Sequence, residues 1–232
     1  MTPLMNDRLL RVLNHLPVDR VPVWIMRQAG RTDPEYRMLR KKDCRPLEQL
    51  FSDVEISIQI SMLPKKLGVD AIIMFQDILT PLTPTGTVFH FDPGPVLAEP
   101  VRTMNQVKAI RKLDSEKQLR TVGQIIKGIN ETLNGELPLL GFAGSPMSLA
   151  FFMIAGSSPN QKHKEILEFI KENPAFTQAL LDRLMELTVD YLNYQISSGV
   201  HAVQLFESFA DVISLELYEK YVQPAHEKIF SS

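Results

Sequence analysis

The sequence predicts an α/β protein built on a parallel sheet. Three observations point there. Four short apolar runs recur along the chain, Val21 to Arg27 (VPVWIMR), Asp70 to Phe75 (DAIIMF), Leu139 to Ala143 (LLGFA) and His201 to Phe206 (HAVQLF). Each is continuous rather than alternating in polarity, the pattern of strands buried on both faces. Helical patterns with readable ends lie between them, and that alternation of strand and helix calls for parallel pairing through right-handed crossovers.

Taken in order, Asp33 and Pro34 have the character of an N-cap and first helical residue opening PEYRMLRK, and Ser52 and Glu55 have the spacing of a capping box. Thr87 to Val101 (TVFHFDPGPVLAEPV) breaks the alternation, since two β-prone runs flanking Pro93-Gly94 predict an inserted hairpin. Lys162 to Lys171 reads as a solvated helix face, and Met147 and Met153 as core filler. Leu180, Leu184, Leu187 and Tyr191 recur at helical spacing on a helix that begins near Pro174 and stops before Gly199, which leads directly into the fourth run. No Gly/Ser linker or low-complexity tract divides the chain, so a single domain over 1–232 is expected. Four β/α units are half of a (β/α)8 barrel, but a doubly wound open sheet also needs four or more parallel strands. The count leaves both open.

Composition removes several functions. Lys and Arg number 25 against 27 Asp and Glu, so a net charge of −2 gives no bulk attraction to nucleic acid or an anionic membrane. Hydrophobic residues at 44% and charged residues at 22% suit a folded core. The longest wholly apolar run, Leu149 to Ala155, falls short of the roughly 18–20 residues of a membrane helix. Asp7, Arg8 and Arg11 interrupt the N-terminal leucines, unlike a secretory signal, and a cytoplasmic protein is expected. Cys44 is the single cysteine and the five histidines lack metal-ligand spacing, so neither a disulfide nor a catalytic metal is expected. No G-x-G-x-x-G follows the first strand and no phosphate loop is present.

Ligands of parallel α/β folds bind beyond the carboxyl ends of the strands. Those positions hold Arg27-Gln28-Ala29-Gly30-Arg31, Gln76-Asp77, Gly144-Ser145-Pro146 and Glu207-Ser208. Two guanidiniums four residues apart, with Ala29 and Gly30 between them, can clamp carboxylates or phosphates; equally, they can be solvated arginines, one paired with Glu35. Asp77 suits either a partly desolvated carboxylate facing a cation or a cap. Glu207 and Ser208 suit either a ligand contact or a helix start, and no histidine is spaced to make Ser208 a triad nucleophile.

The segments PVWIMRQAGRTDPEYRMLR, GVDAIIMFQDILTPL, LLGFAGSPMSLAFFMIAG and SSGVHAVQLFESFAD, in that order, resemble the uroporphyrinogen decarboxylase family from about Arg11 to the end of the chain, with MRQAGR the most specific. The resemblance implies a (β/α)8 barrel, with about its first four β/α units in this chain, and a homodimer for the full-length family form. It also implies removal, without cofactor or metal, of carboxyl groups from the four acetate side chains of uroporphyrinogen III, giving coproporphyrinogen III. Arg27 and Arg31 would then bind substrate carboxylates, with Arg27 also a candidate proton donor and Arg40 assisting. Gln28, Ala29 and Gly30 would line the same loop, Asp77 would bind the pyrrole N–H groups, and Phe152 and Ser208 would occupy further substrate-contact positions. Related corrinoid and thiol methyltransferases share the barrel but match less well at MRQAGR.

The departures carry expectations of their own. Where the family motif continues Tyr-Leu-Pro-Glu, this chain has Thr32-Asp33-Pro34-Glu35, an added negative charge beside the clamp that predicts weaker carboxylate affinity. A family tyrosine is replaced by Phe152, which has no hydroxyl to donate. The later family strands, with a Gly-His-Gly-like loop, do not occur in the sequence. A fragment or half-barrel with little activity alone is therefore expected, and the non-catalytic alternative is a porphyrinogen-binding half-barrel.

Overall fold

The computed structural model describes residues 3–25, 29–91 and 94–232. Its helices are α1 (Arg8–Leu13), α2 (Pro34–Lys42), α3 (Leu47–Phe51), α4 (Val54–Met62), α5 (Met104–Ala109), α6 (Ser115–Gln118), α7 (Arg120–Leu133), α8 (Pro146–Ala155), α9 (His163–Glu172), α10 (Pro174–Ser198), α11 (Leu215–Leu217) and α12 (Gln223–Phe230). The strands are β1 (Ile72–Ile73), β2 (Phe89–Phe91), β3 (Pro95–Leu97), β4 (Leu139–Gly144) and β5 (Ala202–Phe206). The chain divides into two compact units. One comprises Met1–Asp77, Leu119–Phe142 and Asn193–Gln204; the other comprises Ile78–Gln118, Ala143–Leu192 and Leu205–Ser232.

The sheet order is β1-β4-β5, and within the first unit Ile72 lies opposite Leu139 and Ile73 opposite Leu140 in a parallel ladder. The expected α/β class with a parallel sheet is therefore present. The central strand β4 is buried along its whole length, as its unbroken apolar run requires. Its start is fastened twice to His201, the residue before β5: the His201 N–H donates to the Leu139 carbonyl at 2.8 Å, and the Leu139 N–H donates to His201 Nδ1 at 3.1 Å. Burial lowers the His201 pKa below its ordinary value, keeping Nδ1 available as an acceptor. On the outer layer α4 packs along α7, where Gly128 leaves room for the Ile58 side chain.

Two expectations need correction here. Among the described residues of Val21 to Arg27 there is no strand, and Val21, Val23 and Ile25 are 80%, 49% and 50% exposed rather than buried. The Val23 carbonyl does accept from the Asp70 N–H at 2.8 Å, but the Val23 N–H donates to the Asp70 carboxylate at 2.7 Å. A side chain thus takes the donor that a ladder would use. The capping box at Ser52 is also displaced: Asp53 is the N-cap of α4 and accepts from the Ile56 N–H at 3.2 Å, while Ser52 ends α3.

Gln195 extends the predicted Leu180–Tyr191 stripe by one more turn of α10, and there a polar residue is fully buried. Its Oε1 accepts from the Phe142 N–H and its Nε2 donates to the Phe142 carbonyl, both at 2.8 Å. Gln195→Leu deprives a buried strand of both bonds, so it lowers unfolding stability by about 2 kcal/mol, read as a lower urea midpoint at unchanged slope.

In the second unit β2 and β3 form the predicted antiparallel hairpin, with His90 opposite Val96; its Asp92 and Pro93 lie outside the described residues. Helix α8 follows β4 and is buried on nearly every side, Met147 and Met153 included, ending at Gly156 with φ +67°. Phe151 of α8 stacks on Phe209 at 4.9 Å between ring centres. Helix α9 buries Ile166 and Ile170 and turns its charged residues outward. Helix α10 begins at Pro174 and ends before Gly199, which adopts φ +114°, as the sequence predicts. A π-helical turn, Tyr218–Val222, leads into α12.

Candidate functional site

Arg27 and Gln28 lie outside the described residues. The residues that follow them are anchored in the first unit. Ala29 packs against a cluster of Tyr36, Ile60 and Leu63, on which Phe75 also packs, so one apolar cluster supports the loop of Ala29 to Arg31 and the exit of β1. A Cβ built on Gly30 would meet nothing within 4 Å, which leaves open space beside that backbone. Arg31 is exposed, and its carbonyl accepts from Arg37 NH1 at 3.0 Å. Arg40 is turned to the end of α2, where NH1 donates to the carbonyls of Asp43 and Arg45 at 3.1 and 2.9 Å.

The added negative charge at Asp33 is compensated locally. Asp33 caps α2 through the Glu35 N–H at 2.8 Å, and Lys66 Nζ lies 3.0 Å from its carboxylate and 2.9 Å from that of Glu35. Burial pushes the Asp33 carboxyl up, but the Lys66 and Glu35 N–H bonds outweigh it and hold the pKa below the usual value. The field of this carboxylate is therefore spent on its own lysine and helix end.

Asp77 lies four residues past β1 and is half-buried. Two bonds hold the loop leading to it: the Phe75 N–H donates to Ser61 Oγ at 2.8 Å, and Gln76 Nε2 donates to the Phe51 carbonyl at 2.7 Å. A further helical turn, Thr80–Thr85, follows with Leu79 at its N-cap position.

In the second unit Phe152 lies edge-on to Phe89 at 6.5 Å and tilted to Phe209 at 5.7 Å. Ser208 is exposed and follows β5. The residue before it, Glu207, receives the Ser145 hydroxyl on Oε2 and the Ser148 hydroxyl on Oε1, the latter at 2.6 Å. The Ser208 N–H in turn donates to Ser148 Oγ at 2.7 Å. His226 of α12 completes the group, with Nε2 3.2 Å from Ser145 Oγ and 3.4 Å from Glu207 Oε2. Sequence reasoning placed Glu207 after the strand but did not pair it with Ser145, Ser148 or His226. No periodic pattern links Glu207 to serines about 60 residues earlier, and only the shared position of Ser145 and Glu207 beyond strand ends could have suggested that pair; nothing local pointed to His226 of α12. Among the described residues, no three His, Cys, Asp or Glu side chains gather as metal ligands. No helix among them is long and apolar enough to cross a membrane.

These strand-end residues sit within a wider similarity. The model of the family described as uroporphyrinogen decarboxylase (URO-D) matches residues 4–232. The chain belongs to the uroporphyrinogen decarboxylase family. Proteins named uroporphyrinogen decarboxylase from Trichlorobacter lovleyi, Geobacter metallireducens and Geobacter sulfurreducens are each 40% identical to it over 228 residues. Each alignment covers 98% of this chain and 66% of the relative, so the chain spans just under two thirds of the length of these uroporphyrinogen decarboxylases.

Proposed function

We propose that the chain serves the decarboxylation of the four acetate side chains of uroporphyrinogen III to coproporphyrinogen III, without a cofactor, as part of a (β/α)8 barrel domain of which it supplies about four units. A homodimer in the cytoplasm goes with that reading. The observation that carries it is the family match over residues 4–232, a span that includes every strand-end motif.

The chemistry needs few parts. Loss of carbon dioxide leaves an electron pair, and a pyrrole protonated at carbon accepts it. A carboxylate fixed beside the ring nitrogens stabilises that cation, which is the part given to Asp77. Arg27 and Arg31 hold substrate carboxylates in register, with Arg27 also the proton donor, and Arg40 assists. Gln28, Ala29 and Gly30 form the loop wall, and Ser208 adds a contact. The test supplies uroporphyrinogen III to this chain alone, and to the chain mixed with a polypeptide covering the remainder of the Geobacter sulfurreducens relative. Stepwise appearance of products with fewer carboxyl groups supports the reading. Absence of both turnover and binding in the two mixtures overturns it.

A second reading, porphyrinogen binding without turnover, is favoured by one observation: Phe152 offers only its ring. Phe152→Tyr adds a hydroxyl there. A hydrogen bond to a charged group contributes about 1.5–3 kcal/mol, so this variant should bind the porphyrinogen at least about tenfold more tightly, read by calorimetric titration under reducing conditions.

A further inference from the structure

Ser145 and Ser148 are fully buried, yet neither spends its hydroxyl on its own helix: Ser145 is the N-cap residue of α8 and makes no side-chain cap bond. Both hydroxyls instead saturate one carboxylate, Glu207, whose side chain is only 11% exposed. Ser148 Oγ does double duty, donating to Glu207 and accepting the Ser208 N–H, while the Ser145 N–H donates to the Phe206 carbonyl at 2.9 Å. Three consecutive residues at the exit of β5 are thus pinned to the start of α8, and the one side chain left outside is the exposed Ser208. A largely buried carboxylate is costly to hold without such partners, and a cap would have been satisfied by either serine alone.

The geometry points to Glu207 as a positioning residue that holds the Ser208 hydroxyl in its ligand-facing place through Ser148, with His226 closing the group from α12. It deepens the decarboxylase reading and rests on it, since it takes Ser208 to contact the polycarboxylate tetrapyrrole. Glu207 touches no substrate. Its effect travels through the backbone of the next residue, so Glu207 and Ser208 are expected to act as one unit rather than as two independent contacts.

The test combines amide hydrogen exchange at Ser208 with fluorescence titration of the full chain by uroporphyrin III, the oxidised form of the proposed substrate. Glu207→Ala should speed exchange of the Ser208 amide at least about tenfold, leaving the amides of α10 unchanged, because it frees Ser148 from its anchor. Glu207→Ala and Ser208→Ala should each weaken binding about tenfold, and the double variant should also stand near tenfold rather than a hundredfold. Glu207→Gln keeps the shape, and its Oε1 can accept from the Ser148 hydroxyl while its Nε2 donates to Ser145 Oγ, so it should stay within about threefold of the parent and serves if the alanine variant does not fold. Multiplicative effects in the double variant, an unchanged affinity in Glu207→Ala, or an unchanged Ser208 exchange rate in a folded variant would overturn the inference alone. A parent chain that binds no uroporphyrin, either alone or mixed with the complementary polypeptide, would overturn the functional reading and, with it, the positioning role, even with the exchange response intact.

Discussion

Arg20→Met lowers the unfolding free energy at pH 7 by about 3 kcal/mol, and adding Asp70→Asn recovers part of that loss. The expectation comes from where Asp70 sits. Its side chain is fully buried, yet it carries the bidentate pair with Arg20 at 2.7 Å to each oxygen, the Asn6 amide at 2.9 Å and the Val23 N–H at 2.7 Å. Removing the arginine leaves a buried carboxylate without its main counter-charge, which typically costs about 3–5 kcal/mol. The lower end applies because Arg20 is itself 47% exposed and Arg8 remains 3.8 Å from Asp70. Neutralising Asp70 as well removes the stranded charge, so the double variant is more stable than Arg20→Met alone.

The same site sets an acid limb. Burial pushes the Asp70 carboxyl up, but the Arg20, Asn6 and Val23 bonds outweigh it and hold the pKa at about 2, below its ordinary 3.8. Across that window the unfolded chain binds more protons than the folded one, so stability falls as pH falls. This group contributes about 2.5 kcal/mol that is fully present above about pH 5 and lost progressively toward pH 2. Urea unfolding at steps between pH 7 and pH 2 should show that slope in the parent and a shallower one in Arg20→Met. An equal slope in both would mean that the acid limb arises elsewhere.

What was legible in the sequence follows from the range of the forces involved. Caps and periodic stripes are local, so Asp33, the hairpin around Gly94 and the full extent of α10 could be read directly. The misplacement of the α4 cap by one residue is local too: Ser52 and Asp53 are both good caps, and the final turn of α3 takes Ser52, whose Oγ donates to the Glu48 carbonyl. Val21 to Ile25 failed for a different reason. Its continuous apolar run is strand-like, but a distant carboxylate, Asp70, takes the Val23 amide that a ladder would use. Gln195 was half legible, since a polar residue on the buried stripe announces an internal partner without saying which. The strand-end residues could be named from the sequence; the Lys66 compensation of Asp33 and the binding of Glu207 by two serines and His226 depend on pairs that no local pattern joins.

On the role proposed for Asp77, Asp77→Asn should reduce decarboxylation about 10²–10³-fold in the mixture that shows turnover, with a much smaller change in porphyrinogen affinity. The split follows from when the charge appears. Neutral pyrrole N–H groups can still donate to an amide oxygen, in bonds weaker by about 1 kcal/mol than those to a carboxylate, so ground-state binding falls far less than turnover. The cation formed on the protonated ring has no such substitute: a neutral amide leaves it without the fixed negative charge. Loss of one preorganised partner to a developing charge typically costs about 2.7–4 kcal/mol of transition-state stabilisation. The loop makes this carboxylate hard to replace by a neighbour, because Phe75 is tied to Ser61 and Gln76 to Phe51, which fixes the approach of the chain to position 77. Asp77→Glu tests that fixity separately. It keeps the charge but displaces it by one methylene, and an error of about 1 Å in placing a reacting group can cost about 10²-fold. A substantial loss in Asp77→Glu, beside a larger one in Asp77→Asn, would therefore mean that both the charge and its position matter. Full turnover in Asp77→Asn would mean that the ring cation is stabilised by some other group.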